Sequence, residues 1–286
     1  MPKKKKMKSK ENVPNTFKNT VHTIYYIKNM DIKTSTITLT FGDQAENNIG
    51  MEKIGSLANH GFFFQDLVNA QNKIPSQYKT ELIHLNGYLP KEYQADDAYI
   101  LIIRKGIDYL LSPENATDLF NEQVNLDVDK KAFMKGRVVN KIARYNLCFA
   151  DYDQEPDYNN KKGRIINFTN MKYTNMVRDK LEDILGSKAK KLMGEGNYYY
   201  DVSKCGIGFH GDTERKKVVG VRLGASMSLE YQWFYQGNPV GKRIKLMLDN
   251  GDFYVMSEKA VGTDWKKKII PTLRHAAGCD KFLQTK

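Results

Sequence analysis

Cysteine is scarce: Cys148, Cys205 and Cys279 are the only three in the chain. They are odd in number, far apart and not in CxxC spacing. That argues against a disulfide framework or a thiolate zinc site and for a reducing compartment. Long apolar runs are missing too. None approaches the roughly 18–20 residues that cross a bilayer, and the basic start MPKKKKMKSK has no apolar segment behind it to make a secretory signal. The expectation is an intracellular protein without a membrane span. Histidine is rare, with five in 286 residues. The first 112 residues show no glycine loop that could cradle phosphates.

Positive charge is abundant. Forty-five Lys and Arg against 33 Asp and Glu leave a formal net charge of +12, which favours a polyanionic partner: nucleic acid, acidic lipid or acidic protein. Runs such as Lys266-Lys267-Lys268 also read as ordinary solvated faces. At 41% hydrophobic residues, the chain can bury one large core or two smaller ones.

Residues 1–20, rich in Lys and Asn and without periodicity, read as a disordered basic tail. Residues 21–112 mix strand and helix signals and suggest a small α/β module of unknown role. TITLTFG alternates like a strand. The stretch from Met51 to Ile74 has helical spacing broken at Gly61. AYILII is fully apolar, as a buried strand would be. Further on, TNMVRDKLEDILGSKAKKLM reads as an amphipathic helix with Met176, Leu181, Ile184 and Leu185 on one face. DYDQEPDYNNKKG before it is a polar loop. From 196 onward seven short strand-like segments occur at roughly ten-residue spacing, with QGNPVG and DNGD as hairpin signals. The fold class expected is α+β, with a β-sandwich or barrel-like unit at the C-terminal end.

Within that array, GFHGDTERKKVVGVRLG places His210 and Asp212 two residues apart. On an extended chain both side chains point the same way, so both can reach one metal. A second His would complete a two-His, one-carboxylate face, the donor set that suits non-haem Fe(II). Only one His remains downstream, His275 in PTLRHAAG. His22, His60 and His84 have no partner at metal spacing and read as structural.

On these segments the chain resembles the Fe(II)/2-oxoglutarate-dependent dioxygenases, and among them the AlkB-like nucleic-acid demethylases. NYYYDVSKCGIGFHGDTER looks like the family's Asn-x-Tyr strand with its HxD edge behind it. VVGVRLGASMSLEYQWF and DNGDFYVMSEKA resemble the family's next strands. The resemblance covers about 197–286, with a weaker match at Arg144, Tyr145 and Asn146 to the substrate lid. It implies a double-stranded β-helix (jelly roll) core at about 196–286 within a dioxygenase-like domain at 113–286. It also implies iron held by His210, Asp212 and His275, with 2-oxoglutarate as cosubstrate, O₂ as oxidant and a nucleic-acid base as substrate.

The family pattern is not fully met. Near Trp265, Lys266 and Lys267, where the family has its second iron His, this chain has none, so His275 has to serve. In a second alignment TLRHAAG matches the family's last arginine strand instead, and His275 is then not a ligand. No Arg comes after His275. The cation for the cosubstrate carboxylate is therefore expected from Arg222 or Lys281, with Asn197, Tyr198 and Tyr200 as added polar contacts. Arg274 ranks lower, since it should point to the opposite face of its strand. A protein side-chain hydroxylase and a catalytically degenerate nucleic-acid-binding module remain as alternatives.

Overall fold

The computed structural model describes residues 30–285. The basic tail expected at 1–20, and residues 21–29 with His22, lie outside the described residues. Strands β1 (Thr36–Gly42), β2 (Gln44–Glu46), β3 (Lys53–Gly55), β4 (Thr80–His84) and β5 (Tyr99–Ile103) come first. Next are β6 (Lys131–Met134), β7 (Arg137–Asn140), β8 (Tyr145–Ala150), β9 (Ile165–Asn167) and β10 (Met193–Tyr199). The last are β11 (Gly206–His210), β12 (Val218–Gly224), β13 (Met227–Tyr235), β14 (Asn238–Leu248), β15 (Phe253–Met256) and β16 (Thr272–Gly278). The helices are α1 (Phe64–Lys73), α2 (Gly106–Leu111), α3 (Ala116–Val124), α4 (Lys172–Leu185) and α5 (Glu258–Val261). The chain is thus a strand-rich α+β protein. Among the described residues no helix is long and apolar enough to cross a membrane.

Two sheets carry the architecture. An eight-stranded sheet runs β4-β5-β15-β12-β1-β10-β8-β9, and a four-stranded sheet runs β11-β16-β13-β14. All neighbours are antiparallel except β8 and β9. Alternation along each central strand of the large sheet gives it two different faces. Ile37, Leu39, Phe41, Tyr198, Val219, Val221 and Leu223 join a core with Leu67, Leu119, Val177 and Leu181 of the helices. Ile100, Ile102, Val218, Tyr254 and Met256 look the other way and pack on Leu229, Tyr231, Trp233 and Leu273 of the small sheet. Toward β1, β10 and β8 the same face turns polar, and the space between the sheets is left as a cavity.

β1 pairs with β10 on one side and β12 on the other. β5 pairs with β15. Of the strands from residues 30–112, β1 and β5 are therefore interior members and β4 the edge of the sheet that β10, β12 and β15 belong to, so these strands are not set apart from the rest of the chain. Ile54 does not continue a helix from Met51. It sits in the β2–β3 hairpin opposite Ala45, and helix starts only at Phe64. The hairpin satisfies its backbone across the strands, and its loop turns through a positive φ at Gly50. QGNPVG does turn a hairpin, between β13 and β14. DNGD instead carries the chain from the small sheet into the large one, since β14 and β15 lie in different sheets.

Candidate metal centre

His210 ends β11 and His275 lies in β16; the two are direct register partners. This pairing depends on an irregularity. Ile207 pairs with Ala277, and three residues of β11 then span two of β16 before His210 meets His275. The extra residue is a bulge. With regular pairing Phe209 would stand opposite His275, and His210 would point out of the sheet. With the bulge, Phe209 goes outward onto Phe234, ring centroids 6.1 Å apart, and His210 turns in.

Gly211 then makes a tight passage. A Cβ there would stand 2.0 Å from the Gly262 carbonyl oxygen, so only glycine lets the chain through. Asp212 N–H donates to the Val261 carbonyl at 3.1 Å, which fixes the carboxylate beside the imidazoles.

The three ligand atoms lie within 4.8 Å of one another. His210 Nε2 is 3.5 Å and His275 Nε2 is 3.7 Å from Asp212 Oδ1. Both distances are too long for hydrogen bonds. Two atoms each about 2.1 Å from one ion stand roughly 3–4 Å apart, so the spacing suits a shared metal. His210 Nδ1 is 2.8 Å from the Gly208 carbonyl. As the donor there it leaves the Nε2 lone pair free, as a ligand needs. His275 is 8% exposed. Burial first, then His210 and Arg215, push its pKa well below the ordinary value, so its imidazole is neutral and able to ligate. On donor chemistry and placement the residues fit a divalent metal of the non-haem iron kind.

The ligands face a cavity of about 360 Å³. Its far wall is the polar part of the large sheet. Asn146 pairs with Asn197, Asn197 with Thr38, and Thr38 with Arg222, giving one polar row across four strands. Arg222 is 1% exposed, and its Nε and Nη1 have no hydrogen-bond partner, nor has Thr38 Oγ1. Burial pulls the Arg222 pKa below the usual arginine value, with Tyr254, Tyr199 and Asp252 opposing. A buried guanidinium left unpaired is costly, and an anion in this corner would offset that cost. Tyr254 lies over Gly220, where any Cβ would meet its ring at 2.1 Å. Burial pushes its hydroxyl up to about 12 against the pull of Arg222, so it stays a neutral donor.

Of the residues expected to contact the cosubstrate, Arg222 and Asn197 line the cavity. Tyr198 does not. It points into the helix-side core, fully buried, with its hydroxyl donating to Gln123 Oε1 at 2.7 Å. Tyr200, past the end of β10, shares that side: its hydroxyl donates to the Ile142 carbonyl, and its ring stacks on Tyr145. Of the three consecutive tyrosines, Tyr199 lines the cavity. Lys281 is exposed and stacks over Phe282, away from the cavity wall, because the C-terminal turn covers the outer side of the small sheet. Arg274 points to that outer side as expected, 3.9 Å from the Phe234 ring centroid.

Of the lid residues, Arg144 lines the cavity and donates through Nε to Asn197 Oδ1 at 2.6 Å. Asn146 is buried beneath it and donates to the same oxygen at 2.9 Å. Tyr145 faces the helix side with Tyr198, its register partner.

Sequence reasoning missed Arg215, Glu195 and Glu214. Arg215 is 3% exposed and pairs with Glu195 of β10 and with Glu214 at 2.8 Å, while its Nε is 3.6 Å from Asp212 Oδ2. Burial works against its charge, but Glu195, Asp212 and Glu214 hold its pKa well above the usual value. The signal was present as the Arg three residues after Asp212 in HGDTER; its partner on β10 was not, since that pairing is non-local.

No protein-family model matches the chain. It is 52% identical over 252 residues to the uncharacterized protein R156 of Acanthamoeba polyphaga mimivirus, a match covering 87% of this chain and 98% of the relative. At that identity and coverage, this chain belongs to the same family as the mimivirus protein.

Proposed function

We propose that this chain is a 2-oxoglutarate-dependent dioxygenase of jelly-roll architecture that uses Fe(II) held by His210, Asp212 and His275 to oxidise a nucleic-acid base. One observation carries the reading: three ligand atoms converge within 4.8 Å in a cavity whose facing wall holds a buried, unpartnered arginine. The two facing antiparallel sheets, with β10, β12 and β15 in one and β11, β13, β14 and β16 in the other, support the jelly-roll assignment.

His210, Asp212 and His275 would hold Fe(II), whose chemistry when bound would be the oxidation of a substrate C–H bond by O₂ coupled to conversion of 2-oxoglutarate to succinate and CO₂. The chain's own groups prepare that step. Two imidazoles and one carboxylate leave coordination positions open. Arg222, with the Thr38 hydroxyl, takes the distal carboxylate of the cosubstrate through charge-assisted bonds worth about 1.5–3 kcal/mol. Burial of Arg222 and His275 keeps water from competing.

Nucleic acid is favoured by the net charge of +12 and by Arg144, Trp265 and Lys266 on the cavity lining. A cavity of this size admits one unpaired base, not a duplex. Three free cysteines fit a reducing interior.

The test is anaerobic titration with Fe(II) and then 2-oxoglutarate, with succinate detection and mass spectrometry of methylated and unmodified oligonucleotides afterwards. Stoichiometric iron, succinate release and a mass change in the oligonucleotide are expected. Iron binding untouched by His275→Ala would remove the third ligand. Bound iron with no succinate from any oligonucleotide or peptide would turn the reading into a binding module.

A further inference from the structure

We propose that Arg215 is a positioning residue that decides which oxygen of Asp212 ligates the metal; this rests on the metal reading above. The two oxygens of Asp212 have different surroundings. Oδ1 faces both imidazoles, at 3.5 and 3.7 Å from their Nε2 atoms, whereas Oδ2 faces Arg215 Nε at 3.6 Å. Arg215 is itself immobilised. Its Nη2 donates to Glu195 Oε2, and both Nε and Nη2 donate to Glu214 Oε1, at 3.1 and 2.8 Å. Glu195 belongs to β10 of the large sheet, so Arg215 ties a ligand of the small-sheet side to the opposite wall. Gly42 leaves the room this needs, since a Cβ there would stand 3.2 Å from Arg215 Cδ.

The consequence is chemical. A free carboxylate can swing to chelate a metal through both oxygens. In a three-residue face, the second oxygen would fill a position that a bidentate cosubstrate requires. Drawn toward the Arg215 charge 3.6 Å behind it rather than hydrogen-bonded to it, Oδ2 is kept from the metal and Asp212 offers one oxygen only. The charges agree: Asp212, Glu195 and Glu214 surround a single guanidinium, an excess of two negative charges that a divalent cation balances.

The test uses the full-length chain and Co(II), whose visible absorption reports coordination number. Arg215→Gln is expected to weaken Co(II) binding roughly 10–100-fold. Its visible bands should shift toward higher coordination, and the spectral response to added 2-oxoglutarate should be lost. Arg215→Lys, which keeps the charge, is expected to recover most of the affinity and the response. A folded Arg215→Gln with wild-type affinity and spectrum overturns the proposal. Should that variant fail to fold by circular dichroism, Glu195→Gln loosens the anchor while leaving Arg215 and the ligands in place, and an unchanged spectrum there overturns it equally. Failure of the wild-type chain to bind Co(II) would instead strike at the metal reading itself.

Discussion

At the scale of single residues, the site is defined by polar groups that lack partners inside the protein. Arg222 is the clearest. Its guanidinium is buried with two nitrogens unsatisfied, a state that lowers stability unless an anion fills it. Arg222→Met is therefore expected to raise the stability of the ligand-free chain by about 1–3 kcal/mol in urea denaturation, since an apolar isostere removes an uncompensated buried charge. The same variant should lose 2-oxoglutarate binding in calorimetry. A less stable variant would mean that Arg222 has a protein partner. Gly211 is the second telling residue. Gly211→Ala drives a Cβ into a backbone carbonyl and should cost roughly 1–3 kcal/mol and abolish metal binding, because the strain falls between two ligands. Wild-type metal affinity in a folded Gly211→Ala would contradict the tight passage.

At the scale of elements, loops behind the cavity are joined by a buried polar network. Asp129 accepts from Asn47 Nδ2 at 2.6 Å and Tyr158 hydroxyl at 2.7 Å. Lys141 donates to Asn47 Oδ1 and Asn146 Oδ1, at 2.7 and 2.9 Å. Burial, opposed by Asp129 and reinforced by Arg144, lowers the Lys141 pKa from 10.5 to about 8, with smaller upward pulls from Cys148 and Glu195. The folded state gives up this proton first. Between about pH 8 and 10.5 the unfolded chain binds more protons, so stability rises with pH. Below pH 8 the penalty is fully present. Urea denaturation at pH 7 and pH 9.5 should show the wild-type chain gaining stability relative to Lys141→Met. An equal pH response in both would mean that Lys141 does not carry the effect.

At the scale of the whole molecule, the large sheet binds the two halves of the chain. β1 lies between β10 and β12 along its whole length. A fragment beginning at residue 113 would expose the facing edges of β10 and β12 and strip Ile37, Leu39 and Phe41 from the core. It is expected not to fold, giving no cooperative thermal transition; a cooperative melt would show that 113–286 is self-sufficient. The charge of +12 also predicts that binding of a single-stranded oligonucleotide weakens steeply between 50 and 200 mM salt. Salt-independent binding would argue against phosphate contacts.

Local order in this protein was legible from the residues alone. TITLTFG, AYILII and all seven strand segments after 196 have period-2 or wholly apolar patterns, and each formed a strand. α4 has period 3.6, and its face of Leu181, Ile184 and Leu185 is buried. These are short-range properties, set by backbone sterics and side-chain alternation. That His210, Asp212 and His275 could come together was legible because an HxD pair and a single downstream His leave few combinations.

Tertiary structure alone decided the rest. The alternation of NYYYDV separates Tyr198 from Tyr199 but does not say which faces the cavity. The helices that pack on the other side settle that. Tertiary packing also placed β1 between two strands that come more than 150 residues later in sequence, sent DNGD across the sheets, and put the bulge into β11. Each is a choice among pairings that are equivalent locally. Only burial of the shared core, summed over segments distant in sequence, separates their energies.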